Sequence, residues 1–430
     1  MMKLAALAAT IAAASAMVAP PKIEMDDMIE TALKRGGTED VFFHLSKTST
    51  DAAKAHKASL IEANGALPVK KLLRVAIHDH LVEFTEREQR PIMEAAEKAG
   101  LKATSFWITN TVFVRGAPVD FIRKVMANKR MDVRKVNGNK EYSVIENVEG
   151  ATQEEKFQVV DNDTQRRRTQ IAEYGIVLTE AERAQLVGFD GEGVTVGSVD
   201  TGARWTHEAL IGSYRGGTEV RASRYFRRLA FATLPQPKRS DADFFAVRAQ
   251  DHDYNWFGPG SSGYPSEPTD GNGHGTHVTG TMAGQPVSVG IGMAPAAEWV
   301  AAAGCNPFGS CPTLDLTMAL QWSGCPTRTC DPDDPECLSN PDCTRAPDIV
   351  GNSWGGGQGS SAFWDVLGVL KEEEIIVTFA MGNSGGTCGT ANSPGDSDLV
   401  IGVGASDSCV RLSCLDFLLA LMLDVVLWFS

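Results

Sequence analysis

The chain has 430 residues, enough for two or three domains, and its apolar share of 43% and charged share of 22% are ordinary for a soluble globular protein. Its formal net charge of −14 disfavours nucleic acid or an anionic membrane surface as the main partner. The kind of partner must therefore be inferred from the motifs along the chain.

The first residues are typical of a secretory signal peptide. Lys3 supplies a positive charge, residues 4–14 form an Ala-rich apolar stretch, and Ala-Ser-Ala at 14–16 is a small-residue cleavage site. We assign residues 1–19 to a signal peptide and expect a secreted protein, extracellular or lumenal. An Ala-rich terminus that is not a signal is the alternative.

Residues 23–147 are predicted to form a small α+β domain, because short apolar runs alternate with amphipathic stretches. Pro91 is expected to kink or end the longest of the helices. The predicted strands are Val41–Leu45, Ser105–Ile108, Thr111–Val114 and Met131–Val136, and the predicted helices are Asp51–Asn64, Lys70–Lys98 and Pro118–Met126.

Residues 148–185 are polar and lack an apolar period, and three consecutive arginines occupy positions 166–168. A solvated linker and a processing region between two domains are both consistent with this composition.

From residue 186 to residue 408, apolar strands alternate with helices, which predicts an α/β domain with a doubly wound parallel sheet. Functional sites in such sheets lie at the carboxyl ends of the strands, where Asp200 and Asn383 stand. The predicted strands are Val194–Val199, Trp299–Ala303, Asp348–Gly351, Ile375–Ala380 and Leu399–Val403, and the predicted helices are His274–Ala283, Leu314–Trp322 and Ser361–Glu373.

Two motifs in this region carry chemistry. Val-Asp-Thr-Gly ends a strand on Asp200, and Gly-His-Gly-Thr-His opens a helix at His274. Hydrolysis of an amide at neutral pH needs a nucleophile, a base and donors for the oxyanion. Histidine is the usual base, and a buried carboxylate orients it. Taken alone, the aspartate could be a cap and the histidine structural, but the two motifs together are far more specific.

These segments resemble the subtilisin-like serine proteases, or subtilases, and are most similar to the bacillopeptidase F type. The resemblance implies a serine endopeptidase that acts on proteins or peptides and needs no cofactor for catalysis. It implies that Asp200 orients His274, that His274 rather than His277 is the general base, and that Asn383 donates to the oxyanion. His277 is expected to be packed one turn further on. The implied substrate-binding residues are Ser353, Trp354, Gly355, Gly356, Ala380 and Gly382.

The domain at 23–147 resembles a subtilase propeptide in position, size and order of strands and helices, most clearly around Asn110. This resemblance implies that the chain carries its own intramolecular inhibitor and folding assistant.

The serine motif of the family, Gly-Thr-Ser-x-Ala-x-Pro, does not occur in the sequence, and the resemblance ends after Ser408. We expect an incomplete catalytic domain that is inactive as written, with a non-catalytic peptide-binding or inhibitory pseudoprotease as the alternative. Ser384 is badly placed as a nucleophile because it follows the implied oxyanion donor. Residues 409–430 form a divergent Leu-rich tail that is too short and too acidic for a membrane span.

All nine cysteines lie after residue 300, and six of them cluster between Cys305 and Cys343. Without C-x-x-C spacing, this clustering favours disulfide-closed loops over structural zinc, and an odd count leaves at least one thiol unpaired. The acidic loop in this segment could provide oxygen ligands for structural calcium, with a solvated loop as the alternative. Its candidate ligands are Asp331, Asp333, Asp334 and Glu336.

Overall fold

The computed structural model describes residues 23–145, 173–217, 251–259, 265–287, 290–329, 340–385 and 388–405. The predicted signal peptide, residues 148–172 of the predicted linker, the acidic loop at 331–336 and the predicted tail lie outside the described residues.

The described residues contain helices and strands from both predicted domains. The helices are α1 (Asp27–Arg35), α2 (Ser49–Asn64), α3 (Lys70–Lys98), α4 (Val119–Ala127), α5 (Tyr174–Leu178), α6 (Ala181–Leu186), α7 (His274–Ala283), α8 (Thr313–Gly324) and α9 (Trp364–Glu372). The strands are β1 (Glu24–Met25), β2 (Thr38–Leu45), β3 (Ala103–Phe106), β4 (Thr111–Pro118), β5 (Val133–Gly138), β6 (Glu141–Val144), β7 (Thr195–Asp200), β8 (Trp256–Phe257), β9 (Glu298–Ala303), β10 (Ser310–Pro312), β11 (Ile349–Asn352), β12 (Trp354–Gly355), β13 (Ile376–Ala380) and β14 (Ile401–Val403).

The chain divides into two compact units. The first comprises residues 23–48, 85–106 and 110–139, and the second comprises residues 49–84, 107–109 and all described residues from 140 onward. Residues 49–84 and 140–145, which precede the predicted linker, therefore group with the residues that carry the Asp200 and His274 motifs.

The first unit is a five-stranded sheet in the order β1-β5-β2-β4-β3, in which β1 and β5 are parallel and the other pairs antiparallel. Side chains alternate between the two faces of a strand. Phe43 and Val112 therefore share one face of the sheet, where they are buried with Ile92 of α3 and Ile122 of α4.

The second unit is built on a six-stranded sheet in the order β14-β13-β11-β7-β9-β8, in which every pair is parallel. Alternate residues of β9 belong to two different cores. Trp299 lies in a core with Ala283 of α7, whereas Val300 lies in a core with Leu316 of α8 and Val366 of α9. Helices thus cover both faces, and the prediction of a doubly wound parallel sheet is confirmed.

The core around Val300 also contains residues from α2 and from the first part of α3. Ala53, Leu73 and Ile77 are fully buried in the same cluster as Leu370 of α9. The Thr50 hydroxyl donates a hydrogen bond of 2.9 Å to the carbonyl of Asp365. Residues 49–84 are therefore part of the hydrophobic core of the second unit.

Helix α3 covers the predicted range Lys70–Lys98 and continues through Pro91, so the proline does not end it. Strand β3 ends at Phe106, two residues before its predicted end, because residues 107–110 form a turn, whose last residue, Asn110, has a φ of 47°. A left-handed backbone there is incompatible with a continued strand.

Candidate active site

Asp200 is the last residue of β7, and its side chain is buried. Its Oδ1 accepts a hydrogen bond of 2.7 Å from the backbone N–H of Thr201 and lies 2.7 Å from Nδ1 of His274. Its Oδ2 is buried and has no hydrogen-bond partner among the described residues. The carboxylate is therefore held on one side and aimed at the histidine.

His274 is the first residue of α7, and two glycines allow this helix to approach β7. A Cβ on Gly275 would lie 2.0 Å from the carbonyl oxygen of Gly202 and 3.1 Å from Oδ1 of Asp200. Gly202 itself has a φ of +103°, and a Cβ there would lie 2.0 Å from the carbonyl oxygen of Thr269. No side chain fits either position, so both glycines are required to bring His274 to Asp200.

Asp270 holds the loop in front of α7, a role that was not predicted from the sequence. Its Oδ1 accepts hydrogen bonds from the Thr201 hydroxyl and from the backbone N–H groups of Asn272 and Gly273. Its Oδ2 accepts from the backbone N–H and the hydroxyl of Thr276. An aspartate a few residues before a glycine-rich helix start is a typical capping signal that could have identified it.

Burial and hydrogen bonding shift the pKa values of both central residues. Burial raises the pKa of Asp200 above its ordinary value, although the hydrogen bonds from His274 and Thr201 counteract this. Burial lowers the pKa of His274, but the bond and the charge of Asp200, the carbonyl of Ile145 and the charge of Asp270 outweigh it, so the pKa of His274 is raised. The carboxylate thus stabilises a protonated ring.

The implied substrate edge pairs with an extended strand, and that strand is β6 of the same chain. β6 lies between β10 and β12 in an antiparallel sheet. The N–H of Ile145 donates to the carbonyl of Ser353 at 2.9 Å, and the N–H of Val144 donates to the carbonyl of Gly309 at 3.0 Å. Neither β6 nor β10 was predicted from the sequence, because strands of three or four residues carry little apolar pattern.

β6 and the following Ile145, which we call the groove strand, lie in the groove between β10 and β12, and aromatic packing fixes β6 there. Tyr142 is buried, and its ring lies edge-on to Trp354 at 6.2 Å and to Phe363 at 5.3 Å between centroids. Trp354 also packs edge-on against Phe379 of β13 at 4.9 Å. A Cβ on Gly355 would lie 2.7 Å from the carbonyl oxygen of Ser393, so this part of the edge accepts only glycine.

Ile145, the residue that follows β6, lies beside the histidine. The carbonyl oxygen of Ile145 lies 3.1 Å from Nε2 of His274. His274 therefore contacts Asp200 through one ring nitrogen and the groove strand through the other.

The segment with the implied oxyanion donor follows β13. Ala380 ends β13 at the same edge of the parallel sheet at which β7 ends in Asp200. Gly382 has a φ of +99°, and a Cβ there would lie 2.5 Å from Nδ2 of Asn392. Asn383 follows and is exposed.

His277 differs from its expected place: its side chain is exposed, not packed. It lies one turn after His274 on α7, and Thr279, two residues further on, faces the interior instead. The prediction of a packed His277 is therefore wrong.

Two disulfides are present among the described residues, Cys305–Cys311 and Cys325–Cys343, and Cys388 is an exposed free thiol. The first closes the loop that leads into β10, and Pro307 in this loop accepts a hydrogen bond from Asn272 beside His274. His78 lies beside the second disulfide, whose sulfurs are paired with each other.

The chain is similar to known proteins over most of its length. The sequence model of the subtilase family matches residues 191–417, more than half of the chain. The chain belongs to the subtilase family. This subtilase is 25% identical to Bacillopeptidase F of Bacillus subtilis (strain 168) over 427 residues, which cover 94% of the chain and 27% of that relative.

Other relatives match shorter parts. Subtilisin DY of Bacillus licheniformis is 29% identical over 242 residues, covering 56% of the chain and 66% of that relative. Subtilisin E of Bacillus subtilis (strain 168) is 32% identical over 155 residues, covering 35% of the chain and 36% of that relative. The chain thus spans about a quarter of the length of Bacillopeptidase F and just under two thirds of subtilisin DY.

Among the described helices of this subtilase, none has the length and apolar character needed to cross a membrane.

Proposed function

We propose that the chain is the precursor of a secreted subtilisin-like serine endopeptidase that hydrolyses peptide bonds in proteins. His274 is the general base, Asp200 fixes its tautomer, and Asn383 donates its amide to the oxyanion of the tetrahedral intermediate. All three are protein groups, so the reaction needs no cofactor. It also needs the serine of the Gly-Thr-Ser-x-Ala-x-Pro motif, which does not occur in the sequence.

The observation that carries this proposal is the arrangement of β6. An extended segment pairs on both sides with β10 and β12 and brings one carbonyl to within 3.1 Å of Nε2 of His274. A substrate that adds a strand to an exposed edge is held by its main chain in this way. The carbonyl at the histidine is the one that a nucleophile activated by His274 would attack.

We further propose that residues 23–147 are the propeptide and that its last segment inhibits by occupying the substrate groove. We infer that maturation cuts the bond that follows Ile145, and the position of the Ile145 carbonyl at His274 supports this. The groove then accepts substrate side chains like those of Tyr142, Val144 and Ile145.

A second candidate function is peptide binding without hydrolysis. It is supported by the fact that β6 pairs with β10 and β12 through their backbones and that Tyr142 packs against Trp354. None of these contacts requires a nucleophile.

One experiment separates the two functions. The purified chain is treated with a fluorophosphonate serine probe and, in parallel, with a fluorescent protein substrate, with His274→Ala as the matched control. Labelling and hydrolysis that both disappear in the control, with a new N-terminus after Ile145 by mass spectrometry, support the endopeptidase. If neither occurs, while a peptide of sequence 139–145 binds the Tyr142→Ala variant, in which β6 is held less tightly, the endopeptidase is rejected for this chain in favour of the binding function.

A further inference from the structure

The ring of His274 lies between two hydrogen-bond acceptors. Its Nδ1 is 2.7 Å from a carboxylate oxygen of Asp200, and its Nε2 is 3.1 Å from the carbonyl oxygen of Ile145. A carbonyl oxygen can only accept, and an ionised carboxylate can only accept. Both contacts are hydrogen bonds only when a proton is available on each side of the ring.

The neutral forms of the histidine fail this requirement. With its hydrogen on Nδ1, the ring would direct the lone pair of Nε2 at the Ile145 carbonyl. With its hydrogen on Nε2, it would direct the lone pair of Nδ1 at the Asp200 carboxylate, unless Asp200 itself carried a proton. Every satisfied arrangement therefore places one proton more on the Asp200–His274 pair than the neutral histidine with an ionised aspartate has.

We propose that docking of the groove strand is coupled to uptake of one proton by the Asp200–His274 pair, so that the carbonyl of Ile145 inhibits by keeping the histidine from acting as a base. The inference rests on the proposed inhibitory role of β6. A ring whose two nitrogens both carry hydrogen has no lone pair with which to accept a proton from a nucleophile. The strand thus blocks the chemistry as well as the groove.

The surroundings of the ring favour the extra proton. The charged groups that face it among the described residues are Asp200 on β7 and Asp270 in the loop before α7, and both are acidic. The third facing group is the uncharged carbonyl of Ile145, and Asp200 is the only one of the three that bonds Nδ1. Together these groups raise the pKa of His274 despite its burial.

The sign of the pH dependence follows from linkage. The docked state binds the proton more tightly than the open state, so docking is fully stabilised at low pH and loses this stabilisation as pH rises through the pKa of the docked pair. Release of β6 therefore becomes more favourable as the solution becomes more alkaline. For one proton, the opening equilibrium changes by about tenfold per pH unit within that window.

Hydrogen exchange of the amides of residues 141–145, corrected for the intrinsic pH dependence of exchange, measures this opening equilibrium in the full chain. We expect the opening constant of the wild type to rise by about tenfold per pH unit over part of the range from pH 5 to 9. In His274→Gln, whose side-chain amide can still donate to Ile145 but does not titrate, the constant should stay within about twofold. His277→Gln, which changes an exposed histidine of the same helix, should keep the wild-type slope.

An equal slope in wild type and His274→Gln, no slope in the wild type, or a slope of opposite sign would overturn the proposal. If His274→Gln does not fold, nitrogen NMR of the imidazole rings in the wild type replaces it. At the low-pH end of the exchange slope we expect Nε2 of His274 to carry a hydrogen and a second proton to lie between its Nδ1 and Asp200, and a ring without a hydrogen on Nε2 there would refute the coupling. Because neither measurement uses hydrolysis, absence of peptidase activity leaves this inference standing.

Discussion

Glu373 is an acid in the core of the second unit, and replacing it tests how that core depends on pH. The residue is fully buried, and both of its carboxylate oxygens lack hydrogen-bond partners among the described residues. The cation that acts on this carboxyl is Arg74 of α3, which donates instead to the carbonyls of Ala346 and of Glu373 itself. Burial without donors raises the pKa of the Glu373 carboxyl well above its usual range, and Arg74 offsets this only in part.

The magnitude follows from proton linkage. Because the folded state holds a proton on Glu373 that the unfolded state has already released, the free energy of unfolding falls by about 1.4 kcal/mol per pH unit between the ordinary and the raised pKa. This stabilisation is complete below the ordinary carboxyl pKa and is lost as pH rises. Glu373→Gln removes the proton and with it the slope. The unpaired amide that it introduces costs about 1–3 kcal/mol, but at every pH alike.

Urea unfolding followed by tryptophan fluorescence at several pH values from 5 to 9 measures the difference between Glu373→Gln and wild type. We expect this difference to move in favour of the variant by about 1.4 kcal/mol per pH unit across the window. Glu372→Gln is the matched control, since that carboxylate is partly exposed beside Lys57 and the variant keeps Glu373, so it should keep the slope that Glu373 causes. Asp348, whose pKa is lowered, contributes equally to all three proteins. Parallel curves for Glu373→Gln and wild type would refute the reasoning.

Three further changes test the groove. Asp270→Ala removes the hydrogen bonds that this carboxylate accepts around the start of α7 and should lower the unfolding free energy by about 2–4 kcal/mol in thermal denaturation. Replacing Cys305 and Cys311 by serine opens a short loop and should cost about 2 kcal/mol in urea unfolding, with faster hydrogen exchange in β6. Tyr142→Ala removes a buried aromatic side chain worth about 3 kcal/mol, so protection of the β6 amides should fall about 100-fold. Unchanged β6 exchange in either of the last two variants would contradict this packing of the groove.

The central sheet could be predicted because its strands and helices carry strong local signals. The predicted bounds of the helix His274–Ala283 match the structure, and the strands that end at Asp200 and Ala380 lie within one residue of their predicted starts and ends. Buried parallel strands are continuous apolar runs, which a sequence displays directly. The contact between Asp200 and His274 additionally depends on Gly202 and Gly275, whose need for close backbone approach is not evident without the tertiary structure.

The groove could not be predicted in the same way. β6, β10 and β12 are two to four residues long, and they are strands only because each pairs with a segment far away in the chain. Exposed and buried residues do alternate from Glu141 to Val144, but so short an alternation is common outside sheets. The burial of Arg74 could not be predicted from the sequence either, since a single charged residue on an amphipathic helix is normally exposed.

Two titrating contacts hold residues of the segment 49–145 in the second unit, and both favour the docked arrangement at low pH. His274 takes up a proton when the Ile145 carbonyl is in place, and Glu373 holds one while it is buried near Arg74. The two effects act on different events, because opening of β6 need not expose the core around Glu373. Glu373→Gln should therefore remove the contribution of Glu373 to the pH dependence of global unfolding and leave the pH dependence of β6 exchange intact. His274→Gln should flatten the pH dependence of β6 exchange and leave the contribution of Glu373 to global unfolding in place. If Glu373→Gln also flattened β6 exchange, the groove and the helical core would have to open as a single cooperative unit.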